Sequence, residues 1–364
     1  MRPNPPESPF QRRRTSAATA FSAHGLDSLL VTALSNIRYL TNFTGSNGAL
    51  LLFREHAVLY TDPRYELQAT EEADCPVKVA RGPLWIAVRK DLNRKHLKRT
   101  GFEKGRITYE AYEALRGLDA GDPGLVPVGG IVEHLRMVKS EDEVGAIRRS
   151  VATASKAFHE AVKRIRPETT EKELAAELEY RMRRSGAEKP AFETIVASGR
   201  RTAFPHANPA SGTIGRNRLV LIDMGASQNG YASDMTRMLF SGRPGAKLRR
   251  LYNSVLEAQL AAIAAVREGV TAGQVDRKAR QVLGSYGLRD AFVHSTGHGL
   301  GLEIHEPPRI GRRDKTRLQA GMVITIEPGV YLEGFGGIRI EDTVLVTKTG
   351  CEVLTPTPKE LILF

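Results

Sequence analysis

Leu219-Val220-Leu221-Ile222-Asp223-Met224 is an apolar run broken by one carboxylate, and it ends at Gly225. A second strand-like run, Tyr231 to Phe240, carries one more acid, Asp234, and Gly225, Ser227, Asn229 and Gly230 supply turn chemistry between the two. The pattern is that of a β-hairpin. Folding it about Gln228 and Asn229 predicts Asp223 directly opposite Asp234, where paired Cα atoms lie about 4.5 to 5.5 Å apart. Two carboxylates would meet there.

The same device recurs downstream. Met322-Val323-Ile324-Thr325-Ile326-Glu327 and Gly337-Ile338-Arg339-Ile340-Glu341 flank a loop centred on Gly334, so Glu327 is expected to face Glu341. Each acid sits in a segment apolar enough to be buried, where an unpaired charge is costly and is normally neutralised. A positive partner is therefore required. Four carboxylates with one neutral imidazole, His298, carry four negative charges, which two divalent cations balance. A ligand set dominated by oxygen, with a single nitrogen and no thiolate, favours manganese, with cobalt, zinc or iron as the other fits.

Histidines gather around these acids. His294, His298 and His305 fall in one glycine-rich stretch that ends in Glu306-Pro307, and His206 lies in Pro205-His206-Ala207-Asn208-Pro209. A lone Asp at a strand end is usually a turn or cap residue, and a lone Glu usually a solvated one. Five ligand-type residues at matched spacings outweigh that reading. Gly297, Gly299 and Gly301 lack the setting of a phosphate loop and are expected to let the backbone pass close to the metals. Lys348-Thr349-Gly350 reads as a turn, and no Ser or Cys has the surroundings of a nucleophile elbow or thiol protease.

The order Asp, Asp, His, Glu, Glu resembles the ligand set of the pita-bread metallopeptidases, specifically their Xaa-Pro aminopeptidase and prolidase branch. Ser35 to Thr41 and Tyr60 to Tyr65 resemble that family's N-terminal domain, and Met137-Val138-Lys139-Ser140 its domain junction. The resemblance implies that Asp223 chelates one metal, that Asp234 and Glu341 bridge both, and that His298 and Glu327 bind the second. Glu327 would also shuttle the proton. His206, His294, His305 and Arg339 would surround the metals: His305 and His206 polarising or hydrogen-bonding the scissile carbonyl and the proline side, Arg339 holding a ligand carboxylate or a substrate group. The implied activity is that of an Xaa-Pro aminopeptidase, which hydrolyses the bond before a proline in the second position of a peptide by attack of a metal-bridging hydroxide.

Two alternatives stand beside it: an Xaa-Pro dipeptidase (prolidase), and a non-catalytic pita-bread module that binds peptide or protein. A methionine aminopeptidase shares the ligand order, but the α/β N-terminal segment argues against it. Creatinase-like hydrolysis is disfavoured because that relative works without the metal set retained here. The resemblance also implies a homodimer.

A length of 364 residues suits two domains. Residues 1–135 alternate strand-like runs (Ser28 to Thr32, Ala49 to Phe53, Ala57 to Tyr60, Val77 to Ala80) with helical ones (Arg64 to Glu72, Leu84 to Leu97), which is an α/β pattern. Asp119 to Gly130 reads as a loop. Residues 136–364 are expected to form an α+β catalytic domain of the pita-bread type. Ser140 with Glu143 makes a capping box for a helix along Val144, Ile147, Val151, Ala154, Phe158, Ala161 and Ile165, Thr170 with Glu173 starts a second through Arg184, and Leu251 to Arg267 and Thr271 to Tyr286 make two more.

Composition excludes several other classes. The chain is 41% hydrophobic and 26% charged, with no stretch apolar enough to span a bilayer and no signal-like core at the start, so a cytoplasmic protein is expected. Gln11-Arg12-Arg13-Arg14 is expected to be the exposed start of the first helix. Cys75 and Cys351 have no metal or redox spacing and read as free thiols. The net charge of +12 is spread over the chain without a recognised nucleic-acid module, so neither nucleic acid nor a membrane is an expected partner.

Overall fold

The apolar runs of the first third assemble into a six-stranded mixed sheet, in the order Val77–Val79, Ala57–Thr61, Ala49–Leu52, Ser28–Val31, Thr100–Glu103, Leu125–Val128. The computed structural model describes residues 7–94, 97–116 and 124–364, and the chain divides into two compact units, Met1–Arg136 and Met137–Phe364.

In the first unit, the strands Ser28–Val31 and Ala49–Leu52 are buried at every residue, as a sheet covered on both faces requires. Two of the six strands escape the sequence pattern. Thr100–Glu103 is short and polar at both ends, and Leu125–Val128 carries Pro127, which an edge strand tolerates because one side of it pairs with no strand among the described residues. The expected loop from Asp119 to Gly130 is corrected accordingly: residues 125–128 are strand, and 119–123 lie outside the described residues. Of the helix expected over Arg64 to Glu72, the first part is a 3-10 turn, Pro63–Tyr65, started by Asp62 accepting from the Arg64 amide. The helix expected to reach Leu97 is described as Leu84–Arg94, with residues 95 and 96 outside the description. The arginine run also needs correction. It lies in the helix Pro9–His24, but Arg13 packs over the Tyr39 ring at 4.2 Å and Arg14 donates to the Leu40 carbonyl at 2.8 Å, so only Arg12 of the three is exposed.

In the second unit, capping boxes at Ser140/Glu143, Thr170/Glu173 and Thr271/Gln274 start the helices Glu141–Val162, Glu171–Arg184 and Ala272–Ser285. The helix expected from Leu251 begins at Ala246 instead. Its start is silent in sequence because Gly245 offers no side-chain cap and the first turns carry Lys247, Arg249 and Arg250, charges of the unfavourable sign for a helix N-terminus.

Strands Ile195–Ser198, Leu219–Met224, Met235–Phe240 and Ile362–Leu363 form one sheet, and Glu306–Ile310, Gly297–Gly299, Val323–Ile326, Asp342–Val346 and Cys351–Val353 another. Apart from Asp223, the run Leu219–Met224 is apolar because it separates two cores. Leu219 and Leu221 join one with Met238, Ile324 and Ile340, while Val220, Ile222 and Met224 join the other with Phe158, Leu178 and Met235. Asp223 shares the first face, pointing toward the half of the unit that carries the second pair of acids. No helix among the described residues is long and apolar enough to cross a membrane.

Candidate active site

The first hairpin pairs Asp223 with Thr236 rather than with Asp234. Its turn is Asn229-Gly230, both with positive φ, which is the two-residue loop whose twist matches the flanking strands. The centre of the hairpin thus lies one residue beyond the expected fold point, and the register moves by two. A two-residue shift preserves the face, so Asp234 still stands beside Asp223, diagonally. Glycine is obligatory where the strand is interrupted: a Cβ on Gly225 would sit 1.9 Å from the Ser233 carbonyl oxygen. In the second hairpin Ile326 pairs with Asp342 and Gly329 with Arg339, and the same register sets Glu327 across from Glu341.

These elements, with the glycine-rich stretch and the segment around His206, enclose a cleft of about 930 Å³ whose lining includes every residue singled out in the sequence: Asp223, Asp234, His298, Glu327 and Glu341, and His206, His294, His305 and Arg339. Asp234, His298 and Glu341 each present a ligand atom within 4.8 Å of the others. His298 Nε2 is 3.5 Å from both Asp234 Oδ2 and Glu327 Oε1.

The glycines around His298 serve its neighbours. A Cβ on Gly297 would lie 1.9 Å from the Thr325 carbonyl oxygen, so the bare backbone lets the His298 strand press between its two partner strands.

Hydrogen-bond capacity explains why the cluster needs cations. His298 Nδ1 is 3.0 Å from the Gly299 carbonyl, which can only accept, so Nδ1 carries the proton and Nε2 turns a lone pair toward the carboxylates. Burial pushes the imidazole down to about 4, which keeps it neutral near pH 7. Among the described residues, Asp223 Oδ1 and Asp234 Oδ1 are buried with no hydrogen-bond partner. Burial, followed by the mutual repulsion of the acids, raises Asp234 and Glu341 well above the usual carboxylate range, and burial pushes Glu327 up to about 8. A buried pocket with more acceptors than donors, built from four carboxylates and one imidazole, fits divalent ions.

One cation is built in. Arg339, 3% exposed, donates from Nη2 to Asp223 Oδ2 at 2.6 Å and from Nε to the Thr236 hydroxyl at 3.1 Å, and that hydroxyl donates to Glu341 Oε2 at 2.7 Å. Its Nη1 reaches the Tyr331 hydroxyl at 2.6 Å and the Pro205 carbonyl beside His206 at 3.2 Å. Tyr331 in turn donates to His294 Nε2 at 2.9 Å, because His294 Nδ1 is committed to the Ser295 carbonyl at 2.8 Å. The His305 ring meets the His298 ring edge-on, 4.4 Å between centres, and His206 and His305 are exposed at the cleft wall.

Sequence reasoning missed Tyr331, Thr236 and Arg309. Tyr331 and Thr236 sit in apolar-looking strands and gain meaning only from their partners. Arg309 lines the cleft and pairs across the ladder with His298, so the two side chains share a face. The alternation along Glu306–Ile310 could have signalled it.

Comparison with known proteins gives this geometry its family. The description "Creatinase/Prolidase N-terminal domain" matches residues 13–138, and "Metallopeptidase family M24" matches residues 145–348. An Xaa-Pro dipeptidase of Pyrococcus furiosus is 39% identical over 345 residues, covering 93% of this chain and 96% of that one. Among solved structures, an Xaa-Pro dipeptidase from Bacillus anthracis matches with a TM-score of 0.94 at 38% identity, over 98% of this chain and 100% of that chain. An X-Pro aminopeptidase from Thermotoga maritima matches with a TM-score of 0.87 at 37% identity, over 93% and 98%. The chain belongs to metallopeptidase family M24, among its Xaa-Pro peptidases, and carries the creatinase-type N-terminal domain in front of the pita-bread domain.

Proposed function

We propose that this protein is an Xaa-Pro dipeptidase whose two divalent ions are held by Asp223, Asp234, His298, Glu327 and Glu341. The observation that carries the metal site is the donor shortage: two buried carboxylate oxygens without a partner and an imidazole lone pair aimed at acids. Ions bound there would polarise the scissile carbonyl and lower the pKa of an attacking water. Manganese is the ion we assign, on the oxygen-rich donor set.

The chain's own residues divide the remaining work. Glu327 is half-buried in the cleft wall and lifted to about 8 before any ion binds, which makes it the group suited to carry a proton toward the departing proline nitrogen. Arg339 fixes Asp223 and, through Thr236, Glu341. His206 and His305 face the open side of the cleft, where the carbonyl and the proline ring would lie.

Arg309 favours the dipeptidase over the aminopeptidase that the sequence first suggested. It lies on the face of His298, lines the cleft, and has no acidic partner among the described residues. A free carboxylate just after the proline is a natural partner for an open guanidinium. The Xaa-Pro dipeptidases among the full-length relatives support the same choice. The free thiols Cys75 and Cys351 support a reducing, cytoplasmic setting, and the family resemblance supports a homodimer.

Metal-stripped protein assayed with and without manganese on an Xaa-Pro dipeptide and an Xaa-Pro-Xaa tripeptide tests the reading. Metal-dependent cleavage of the dipeptide alone is expected. Comparable cleavage of the tripeptide would return the aminopeptidase, and inertness toward both with every divalent ion would favour the binding module. Light scattering of the same preparation tests the dimer.

A further inference from the structure

Residues 292–296 bring His294 to the cleft, and the Thr296 carbonyl accepts the amide of Glu327 at 2.7 Å. Yet the stretch belongs to no helix or strand. Backbone groups in such a segment must find partners elsewhere, and the Phe292 and His294 carbonyls find theirs on the helix Ala272–Ser285.

Arg280 donates from Nη1 to the Phe292 carbonyl at 2.9 Å and from Nη2 to the His294 carbonyl. Its guanidinium lies 4.1 Å from the centre of the Phe292 ring, and that ring meets the His294 ring edge-on at 5.1 Å. One turn earlier, Asp276 is 1% exposed and accepts from Arg280 Nε at 2.8 Å with one oxygen and from the Thr296 hydroxyl at 2.9 Å with the other. Alternate residues 292, 294 and 296 are thus fastened one after another, as a neighbouring strand would fasten them. A rigid fork holds two carbonyls in a fixed relation. An ion pair that only stapled its own helix would have no use for these contacts.

We propose that Asp276 and Arg280 are positioning residues for peptide hydrolysis: they hold residues 292–296 so that His294 keeps its Nε2 on the Tyr331 hydroxyl and Glu327 keeps its seat in the cleft. This rests on the peptidase reading above. Neither residue touches the cleft itself.

The test uses full-length protein, manganese-loaded for the kinetics and loaded with diamagnetic zinc for the NMR, because paramagnetic manganese would broaden imidazole resonances this close to the site. Arg280→Met removes the donors but keeps an apolar stem, Arg280→Lys restores one donor group, and Leu283→Ala, fully buried on the same helix, is the control for simple loss of stability. Three readouts are compared: kcat and KM on an Xaa-Pro dipeptide, the thermal midpoint, and the imidazole NMR resonances of His294, assigned by their disappearance in His294→Ala. Arg280→Met should lower kcat/KM about ten- to a hundredfold, chiefly through kcat, and move the His294 resonances. Arg280→Lys should recover part of both. Leu283→Ala should lower the midpoint while leaving kcat/KM and the resonances in place.

Should Arg280→Met fail to fold, Asp276→Asn, which keeps the shape and drops the charge, is read the same way. Unmoved His294 resonances in the Arg280 variant, or an equal loss of kcat/KM in Leu283→Ala, would overturn the proposal. Were the wild type to cleave neither peptide, the function would be wrong on its own account, and the NMR comparison would still decide whether the pair positions His294.

Discussion

Glu103 in the first unit and Asp234 in the second are both buried carboxylates, 6% and 5% exposed, and their surroundings are opposite. Glu103 ends a strand and turns its oxygens onto the Thr32 amide at 2.6 Å, the Thr32 hydroxyl at 3.1 Å, the Ala33 amide at 2.9 Å and the Asn36 amide group. Ala33 has no side-chain cap to give the helix Leu34–Thr41, so the carboxylate of a neighbouring strand does that work. Burial raises the pKa of Glu103, and the Thr32 and Ala33 amides and the Asn36 side chain pull it back. Asp234 has an orphaned oxygen, a histidine lone pair and three more acids around it. Burial of an acid therefore does not mark a site. An excess of acceptors over donors does, because protein groups alone cannot neutralise it.

The largest test of that contrast is catalytic. Glu327→Ala should lower kcat by about 10²- to 10⁴-fold, the usual worth of a proton-transfer group, with the far-ultraviolet circular dichroism unchanged. Glu103→Ala should leave kcat alone. An active, metal-loaded Glu327→Ala protein would remove Glu327 from the proton path.

Metal removal is the next largest. In the stripped protein Asp234 and Glu341 titrate well above the usual range and Glu327 near 8. A carboxylate whose folded pKa exceeds its unfolded value contributes stability that is full below the unfolded pKa and lost as pH rises through the folded one. His294 and His298, pushed down to about 4 by burial, act in the other direction, adding stability as pH rises from about 4 to 6.5 and no more above that. Between about pH 6.5 and 8 only the acids act. The melting temperature of stripped protein should fall across that window, and a divalent ion at a hundred times its Kd should restore about 2.7 kcal/mol. A flat profile with no response to metal would mean that the acids find other partners.

Much of this site is legible in the sequence because it is written in local rules. The Glu327–Glu341 pairing follows from a loop centred on Gly334, and the ladder obeys it. The Asp223–Asp234 register departs by two from the expected one because Asn229-Gly230, and not the midpoint of the polar stretch, centres the turn. The acids still meet, since the departure preserves strand parity. Other parts are not local. Tyr331 matters through His294, 37 residues away, and Thr236 through Glu341, 105 residues away. The helix start at Ala246 and the strand holding Pro127 violate the usual start and strand signals, and packing overrides them.

Glu103→Ala sharpens the contrast from the structural side. It strands the donors that the carboxylate satisfies, and a buried unsatisfied group costs about 1 to 3 kcal/mol. The first unit should melt earlier by calorimetry, while kcat/KM in protein still folded at the assay temperature stays at the wild-type value. Unchanged melting would mean that water takes over those donors, and the difference between the two carboxylates would then be one of degree.

The smallest effect is the most discriminating. Asp234→Asn in metal-free protein replaces a carboxyl that already holds its proton well above the usual range. Near about pH 4, where an aspartate of the unfolded chain titrates, the variant and the wild type should melt almost together. Toward pH 8 the wild type must either ionise Asp234 beside Glu341 and Asp223 or keep binding a proton that the solvent no longer supplies freely, and the variant has neither cost. The variant's melting temperature should therefore rise above the wild type's as pH increases. The gap should widen by about 1.4 kcal/mol for each step of one in pH over which folded wild type keeps the proton and the unfolded chain does not. With manganese present the order should reverse, because a neutral amide would be a much poorer ligand than the carboxylate that would hold the ions. A variant less stable than wild type at pH 8 without metal would show that Asp234 has a donor after all, and the argument from acceptor excess would fail at the residue on which it rests most heavily.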